Sequence, residues 1–392
     1  MKGWIKSIRE SKGLMFLAIT DGQEDHQLTL KQGEYTIIGE PKVGASFISE
    51  GYDSITPRGF KEFVVSKIEI VGKSDDDYPL QPKKHSHDFL RSIPEIRGRA
   101  KGVQSTFKMR HFLSQEIHKF FSDKGFVQYW TPIITTADCE GAGETFQVKT
   151  DWLDEKLTVS GQLHGEVGMM SLGKIYTFGP CFRAEKSATK KHLSEFWMIE
   201  PEMAFYTMEE TIKLSEEMIK SVLSGVLKYT DDFKKLETDT LHITSILDKE
   251  WIKMKYEDVC KEFKVKFGED ISSDIEKKII DKYKVPVFIT HWPKELKPFY
   301  MKKDDKVAYC FDLIFPEVGE LIGGSEREDS YEILKSEMEK AGLDMEKMDW
   351  YLKTRKWGSV PHSGFGMGFD RLVTFVCKLQ KIHDSIPFPI SY

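Results

Sequence analysis

Short apolar runs broken by glycine-bearing turns fill residues 1–74. Met15–Ile19 ends at Asp21-Gly22, Tyr35–Ile38 at Gly39, and Phe63–Val65 and Ile68–Val71 close at Gly72. Several short strands with such turns predict a small barrel, with an OB-fold as the leading candidate, a fold that often holds single-stranded nucleic acid. Residues 75–100 contain Asp75-Asp76-Asp77, Pro79, Pro82 and Pro94 and read as a solvated hinge. Beyond it, Phe112, Leu113, Ile117, Phe120 and Phe121 recur at helical spacing between Phe107 and Lys124. Gly125 ends that helix, and Phe126–Thr131 continues as a strand to Pro132. The apolar runs Ile175–Phe178 and Phe196–Met203 predict two antiparallel strands around a basic, polar loop. Residues 207–283 are rich in lysine and glutamate and read mostly as amphipathic helices, such as Met208–Leu227, forming a scaffold layer.

Composition narrows the class. With 392 residues, 31% charged and 40% hydrophobic, the chain is an ordinary globular protein of two or three domains. Its net charge of −6 excludes a uniformly basic nucleic-acid binder. Lys83, Lys84, Arg91, Arg97, Arg99, Lys101, Lys108 and Arg110, against Asp88 and Glu95, still make a local basic stripe. On charge alone that stripe reads either as a solvated linker or as a phosphate contact. The start, Met1–Lys6, lacks an apolar signal core, and no run approaches the ~20 apolar residues of a membrane span, so a cytoplasmic protein without membrane contact is expected. Five cysteines without CxxC or Cys/His spacing read as reduced core thiols. His85-Ser86-His87 and His118 have no metal-ligand frame either.

Chemistry concentrates around Phe182–Phe196. Arg183 precedes the loop, Phe196 follows it, and Lys186, Lys190, Lys191 and His192 lie between. A fixed guanidinium beside a mobile cationic loop suits a nucleotide polyphosphate, and the Phe196 ring could stack on a base. This segment resembles motif 2 of the class II aminoacyl-tRNA synthetases, and its form Phe-Arg-Ala-Glu…Glu-Phe-Trp-Met-Ile-Glu-Pro-Glu-Met-Ala-Phe is most similar to the asparaginyl enzymes. The long helix, strand and Pro132 resemble motif 1, which implies a homodimer. Gly364–Val373 resembles motif 3. The resemblance implies an N-terminal all-β OB-fold anticodon-binding domain (1–74), the hinge (75–100) and an α+β catalytic domain (101–392) whose antiparallel sheet is flanked by helices.

It also assigns residues. Arg183, Glu185, Lys191, His192, Phe196 and Arg371 would bind ATP, with Arg183 and Arg371 facing the reacting phosphates. Asp312 and Glu320 would hold Mg2+, whose hard oxygen ligands are shared with the phosphates. In the loop Asp138–Glu144, Glu140 would lie near the substrate ammonium. Ser160 and Gln162 offer neutral hydrogen bonds to an amino acid's backbone groups. Aspartyl relatives carry a lysine where this chain has Gly165, and loss of that ammonium favours an amide over a carboxylate. Glu200 could accept from the amide and Arg327 could reach its carbonyl, although Arg327 alone also reads as a surface ion pair with Glu328 or Asp329. In the first domain Phe16 would stack on an anticodon base, with Gln27 and Glu62 reading its edge, while Phe16 alone also reads as a core aromatic.

The implied activity is ATP-dependent activation of asparagine and its transfer to tRNA(Asn), with no side-chain nucleophile. Departures from the family pattern are Lys186, Ala188 and Lys191 in motif 2, and His383 and the Ile390–Tyr392 end in place of arginines. They bear on ATP affinity rather than reaction type. Two alternatives are an asparagine synthetase-like relative that adenylates aspartate, which the barrel and Gly165 disfavour, and a non-catalytic tRNA-binding relative, which the retained Arg183, Glu320 and Arg371 disfavour.

Overall fold

The computed structural model describes residues 1–56, 59, 61–137, 139, 145–186 and 189–391. The chain divides into two compact units, Met1–Ala100 and Lys101–Tyr392.

In the first unit the strands are β1 (Lys2–Ser11), β2 (Leu14–Thr20), β3 (Asp25–Lys31), β4 (Thr36–Ile38), β5 (Ser46–Ile55) and β6 (Lys61–Gly72). They lie in the order β3-β2-β1-β5-β6-β4, and β3 also pairs in parallel with β6. Strand alternation puts Ile5, Leu17, Ile19, Leu28, Leu30, Phe47, Val65 and Ile68 into one core. Phe16 points away from that core: it is half-buried, and the Arg9 guanidinium lies 5.1 Å from its ring centre. The segment expected as a hinge folds back onto these strands. It contains α1 (His87–Arg91), capped by Ser86, and its Arg99 donates to the Gly44 carbonyl at 3.2 Å.

The second unit opens with α2 (Lys101–Asp123) and ends it at Gly125, whose φ of +74° is a left-handed stop that glycine adopts without strain. Then follow β7 (Val127–Gln128), β8 (Ile134–Thr135), β9 (Gln147–Lys149), β10 (Asp154–Leu157), α3 (Gln162–Leu172), β11 (Lys174–Phe182) and β12 (Glu195–Ala204). The helical layer comprises α4 (Met208–Val226), α5 (Thr230–Lys235), α6 (Leu241–Leu247), α7 (Tyr256–Phe263) and α8 (Ser273–Tyr283), with β13 (Ile252–Lys255) inside it. Thr207 and Glu210 form a reciprocal capping box at the start of α4. The chain closes with β14 (Val287–Thr290), β15 (Cys310–Phe315), β16 (Gly319–Glu326), α9 (Tyr331–Lys340), α10 (Asp349–Lys353), β17 (His362–Gly368) and α11 (Phe369–Val376).

Eight of these strands form one sheet in the order β13-β14-β15-β16-β17-β12-β11-β7. The expected antiparallel arrangement holds for its six inner strands. Both margins differ, because β7 runs parallel to β11 and β13 parallel to β14. The helices α2, α4 and α11 cover one face through a core that includes Leu113, Ile117, Phe121, Ile199, Met203, Phe365, Met367 and Phe375. The five cysteines are buried thiols. Among the described residues no helix is long and apolar enough to cross a membrane.

Phe121 anchors α2 to the sheet: it is fully buried, stacks on Tyr176 at 4.5 Å and meets Phe126 edge-on. Phe121→Ala should cost about 3–5 kcal/mol of unfolding free energy, measured by urea denaturation of the second unit's transition.

Candidate active site

The sheet's other face is cleared by sequence. On β17 the residues Gly364, Gly366 and Gly368 alternate with Ser363, Phe365 and Met367, so the glycines share one face and the larger side chains fill the core. Pairing sets Glu202 opposite Gly364 and Met198 opposite Gly368. A Cβ on Gly364 would stand 2.3 Å from the Glu202 carboxyl, and one on Gly366 would stand 2.7 Å from the Met198 methyl. Glycine is therefore required at 364, where Arg327 fixes the Glu202 carboxyl, whereas at 366 a Cβ would displace the flexible end of Met198.

Strand β12 presents Phe196, Met198, Glu200 and Glu202 to the cleared face at successive steps of about 6.7 Å. At its Phe196 end is a cavity of about 180 Å³ lined by Arg183, Glu185, Lys191, His192, Phe196, Glu320 and Arg371, together with glycines 366 and 368. These seven charged, imidazole and aromatic residues, drawn from four segments, are all candidates named from sequence. The Arg183 guanidinium lies 5.2 Å from the Phe196 ring centre. Arg371, in the first turn of α11, donates to the Glu320 carbonyl. His192 contacts the Thr189 hydroxyl, and burial, followed by Arg371, pushes its pKa down, favouring the neutral ring.

Asp312 lies beside this cavity. A Cβ on Gly323 would sit 3.2 Å from Glu320 Oε1 and 3.5 Å from Asp312 Oδ1, so the two carboxylates border one gap. Burial, opposed by Lys297 and assisted by Glu320, pushes the Asp312 pKa up to about 6. Among the described residues no three His, Cys, Asp or Glu side chains form a metal cage. The pair alone thus suits a hard cation whose remaining ligands come from elsewhere, as a nucleotide's phosphates would supply.

At the Glu202 end the polar groups are buried. Glu200 accepts from Ser160 Oγ, from the Gly161 amide at 2.9 Å and from Thr177 Oγ1 at 3.1 Å. Arg327, at 2% exposure, forks onto Glu202 through Nε and Nη2 and donates to Ser325 Oγ at 2.7 Å. It is not the surface ion pair its acidic neighbours suggested. Gln162 Nε2 donates to Glu166 Oε1 at 3.1 Å, and Glu166 Oε2 accepts from Arg355 and from Tyr351 at 2.8 Å. Gly165 faces the same place, since its missing Cβ would lie 3.7 Å from Glu202 Cγ and 3.4 Å from Ile175.

Glu202, Glu166, Arg355, Lys297 and Glu276 escaped sequence reasoning. Only Glu202 carried a local signal, being two residues from Glu200 and hence on the same strand face. Glu276 comes from α8, in the layer read as bare scaffold. Its carboxyl lies by Gly319, as does Lys191 Nζ, and burial pushes its pKa up against the pull of Lys191. Glu140 lies outside the described residues. In the first unit Phe16 pairs across from Thr29, whose hydroxyl donates to Glu62 at 2.5 Å, and Gln27 is exposed two residues along β3. Those three candidates therefore share one outer patch.

Of the basic stripe, Arg97 is 1% exposed and Arg110 pairs with Asp370, so the stripe is not a single charged surface.

Comparison with known proteins gives this geometry a family. Residues 92–391 match the model for class II tRNA synthetases (D, K and N). The chain is 39% identical over 436 residues to the asparagine–tRNA ligase of Bacteroides fragilis, covering 99% of this chain and 93% of that one. It is 41% identical over 420 residues to the corresponding ligase of Desulfotalea psychrophila, with 99% and 94% coverage. The crystal structure of asparaginyl-tRNA synthetase from Pyrococcus horikoshii complexed with asparaginyl-adenylate superposes with a TM-score of 0.92 at 29% identity, covering 100% of this chain and 94% of that one. A glycine-cleared sheet face with cations at one end and buried carboxylates at the other thus sits in a sequence of matching kind, and the chain belongs to the class II aminoacyl-tRNA synthetases, in their asparagine–tRNA ligase family.

Proposed function

We propose that the enzyme activates asparagine with ATP and transfers it to tRNA(Asn) by positioning and electrostatics, using the two ends of β12 for its two small substrates. The observation that carries this reading is the row Phe196, Met198, Glu200 and Glu202 on one strand face, which makes the cationic cavity and the carboxylate pocket contiguous. ATP lies in the cavity with its base on Phe196, Glu185 on the adenine side, and its phosphates toward Arg183, Lys191, His192 and Arg371. Asparagine lies toward Ser160, Gln162 and Glu200, with Glu140 near its ammonium. Its amide meets the Arg327–Glu202 fork: the guanidinium donates to the carbonyl and the carboxylate accepts from the NH2. Glu202, rather than Glu200, is the acceptor in this reading, because Glu200 already accepts three hydrogen bonds.

The asparagine carboxylate attacks the α-phosphorus in line, the bond to the β-phosphate oxygen breaks, and pyrophosphate leaves. Arg183 and Arg371 neutralise charge as it develops on the transferring phosphorus and the leaving group. Mg2+ bound to Asp312 and Glu320 would contribute charge neutralisation at the phosphates. The tRNA's terminal ribose hydroxyl then attacks the adenylate carbonyl and AMP leaves. In the first unit the closed strand path through the β3–β6 pairing supports an OB-fold barrel, with Phe16, Gln27 and Glu62 as its anticodon patch. Exposed Val127, Trp130, Ile133 and Ile134 beside α2 support a homodimer across that surface. The buried thiols fit the reducing cytoplasm.

Amino-acid-dependent ATP–pyrophosphate exchange tests this directly, and exchange with asparagine but not aspartate is the expected result. Exchange with aspartate alone would overturn the amide pocket. Arg183→Ala should lower exchange by roughly 100-fold or more while its melting temperature stays close to that of the parent. Gly165→Lys places an ammonium beside Glu202, where it competes with Arg327 for the carboxylate. Its KM for asparagine should rise about tenfold or more, with the KM for ATP within about twofold, by the same assay.

A further inference from the structure

Asp312 uses its two oxygens differently. Oδ1 borders the gap at Gly323 that Glu320 Oε1 also borders. Oδ2 accepts a 2.7 Å hydrogen bond from Lys297 Nζ. The Lys297 side chain is 14% exposed, and its ammonium lies 4.2 Å from the centre of the Trp292 ring. Trp292 is buried and held in turn by its indole N–H, which donates to the Ile289 carbonyl at 3.1 Å. The ammonium is therefore fixed between a ring and a carboxylate, two groups that both favour a cation. For the fold alone, apolar residues of similar volume often serve as well as a buried pair.

We propose that Lys297 is a resident cation of the phosphate site, neutralising Asp312 through Oδ2 so that only Oδ1 is offered to a divalent ion. The inference rests on the reading of Asp312 and Glu320 as Mg2+ carboxylates. Without Lys297 the pair, a buried Asp312 beside an exposed Glu320, would carry two negative charges and would retain a divalent ion whether or not ATP is present. With it, the pair carries one, and the ion is held firmly only together with the triphosphate that completes its ligands. Lys297 is in this sense a positioning residue: it acts on the phosphates through the carboxylate it holds. Its electrostatic effect opposes that of the metal, which separates it from a residue that merely supports the fold.

Mn2+ binding, followed by loss of the free-ion electron paramagnetic resonance signal, tests the proposal on the full chain with a non-cleavable α,β-methylene analogue of ATP. Lys297→Met and Lys297→Gln remove the charge, and the glutamine keeps a donor for Asp312 if the methionine variant does not fold. Both should bind the enzyme-dependent Mn2+ at least about tenfold more tightly than the parent, because a like charge close to the ion is gone. Lys297→Arg keeps the charge and should stay within about threefold of the parent. Unchanged or weaker Mn2+ binding in the folded neutral variants would overturn the proposal and leave Lys297 a packing residue. Parent-like Mn2+ binding by Asp312→Asn would instead overturn the carboxylate assignment beneath it, so the two failures are distinguishable.

Discussion

The fork of Arg327 onto Glu202 is the constraint to which the rest of the open sheet face is fitted. Both groups are almost wholly enclosed, and removing one partner of such a pair leaves a bare buried charge at a cost of about 3–5 kcal/mol. The neighbouring sequence is arranged around that hazard. Gly364 gives the Glu202 carboxyl its space, and Ser325, paired across from Gly364, supplies a hydroxyl to a third guanidinium nitrogen. Glu166 approaches the same guanidinium at 3.9 Å and is itself balanced by Arg355, Tyr351 and His362. Its pKa is held far below the usual carboxylate range: burial alone would raise it, but Arg355 and His362 outweigh that. Two carboxylates and two guanidiniums thus tie α3, β12, the end of β16 and α10 together through charge rather than apolar contact.

The orientation of Gln162 follows from this network. Its Nε2 donates to Glu166, which is acceptor-only while ionised, so the amide cannot flip without placing oxygen against oxygen. The Oε1 atom is thereby committed as an acceptor, the polarity that an ammonium requires. Glu200 is fixed in the same manner by the hydroxyls of Ser160 and Thr177 and the amide of Gly161. Preorganisation of this kind lets a small substrate be read by fixed dipoles without reorganisation at the moment of reaction.

Much of this was legible in the chain and some was not, for reasons of range. The apolar run Phe196–Met203 announces a strand, and β12 is that strand, but the division of its side chains between a core face and an open face appears only in the fold. Glycines at every second position of β17 likewise mark a face that must stay empty. Resemblance assigns Arg327 to the substrate, because a charge followed by Glu328 and Asp329 otherwise looks solvated, and only the fold reveals that its partner lies 125 positions away. Lys297 and Glu276 sit in lysine- and glutamate-rich stretches whose local pattern matches any surface helix or turn. A small barrel is expected for the first unit, but which strands meet is hidden: the pairing of β3 with β6 joins distant segments and leaves no periodicity to read.

The charge gradient along β12 also bears on why catalysis needs no side-chain nucleophile. Arg183, Lys191 and Arg371 gather at one end, where, in the proposed reading, a triphosphate brings several negative charges. The carboxylates Glu200, Glu202 and Glu166 gather at the other, where, in the proposed reading, a zwitterion brings an ammonium and a neutral amide. Arg327 and Arg355 balance Glu202 and Glu166 at the second region, so in the proposed reading it is the cations of the first region that draw the substrate carboxylate toward the phosphates. Met198 lies between the two regions and carries no charge. Gly366 lies beside it, and in the proposed reading the two reacting groups meet above this uncharged floor. Orientation of this sort converts binding energy into proximity, and in the proposed reading the sheet's register, rather than any reactive side chain, is the principal catalytic device.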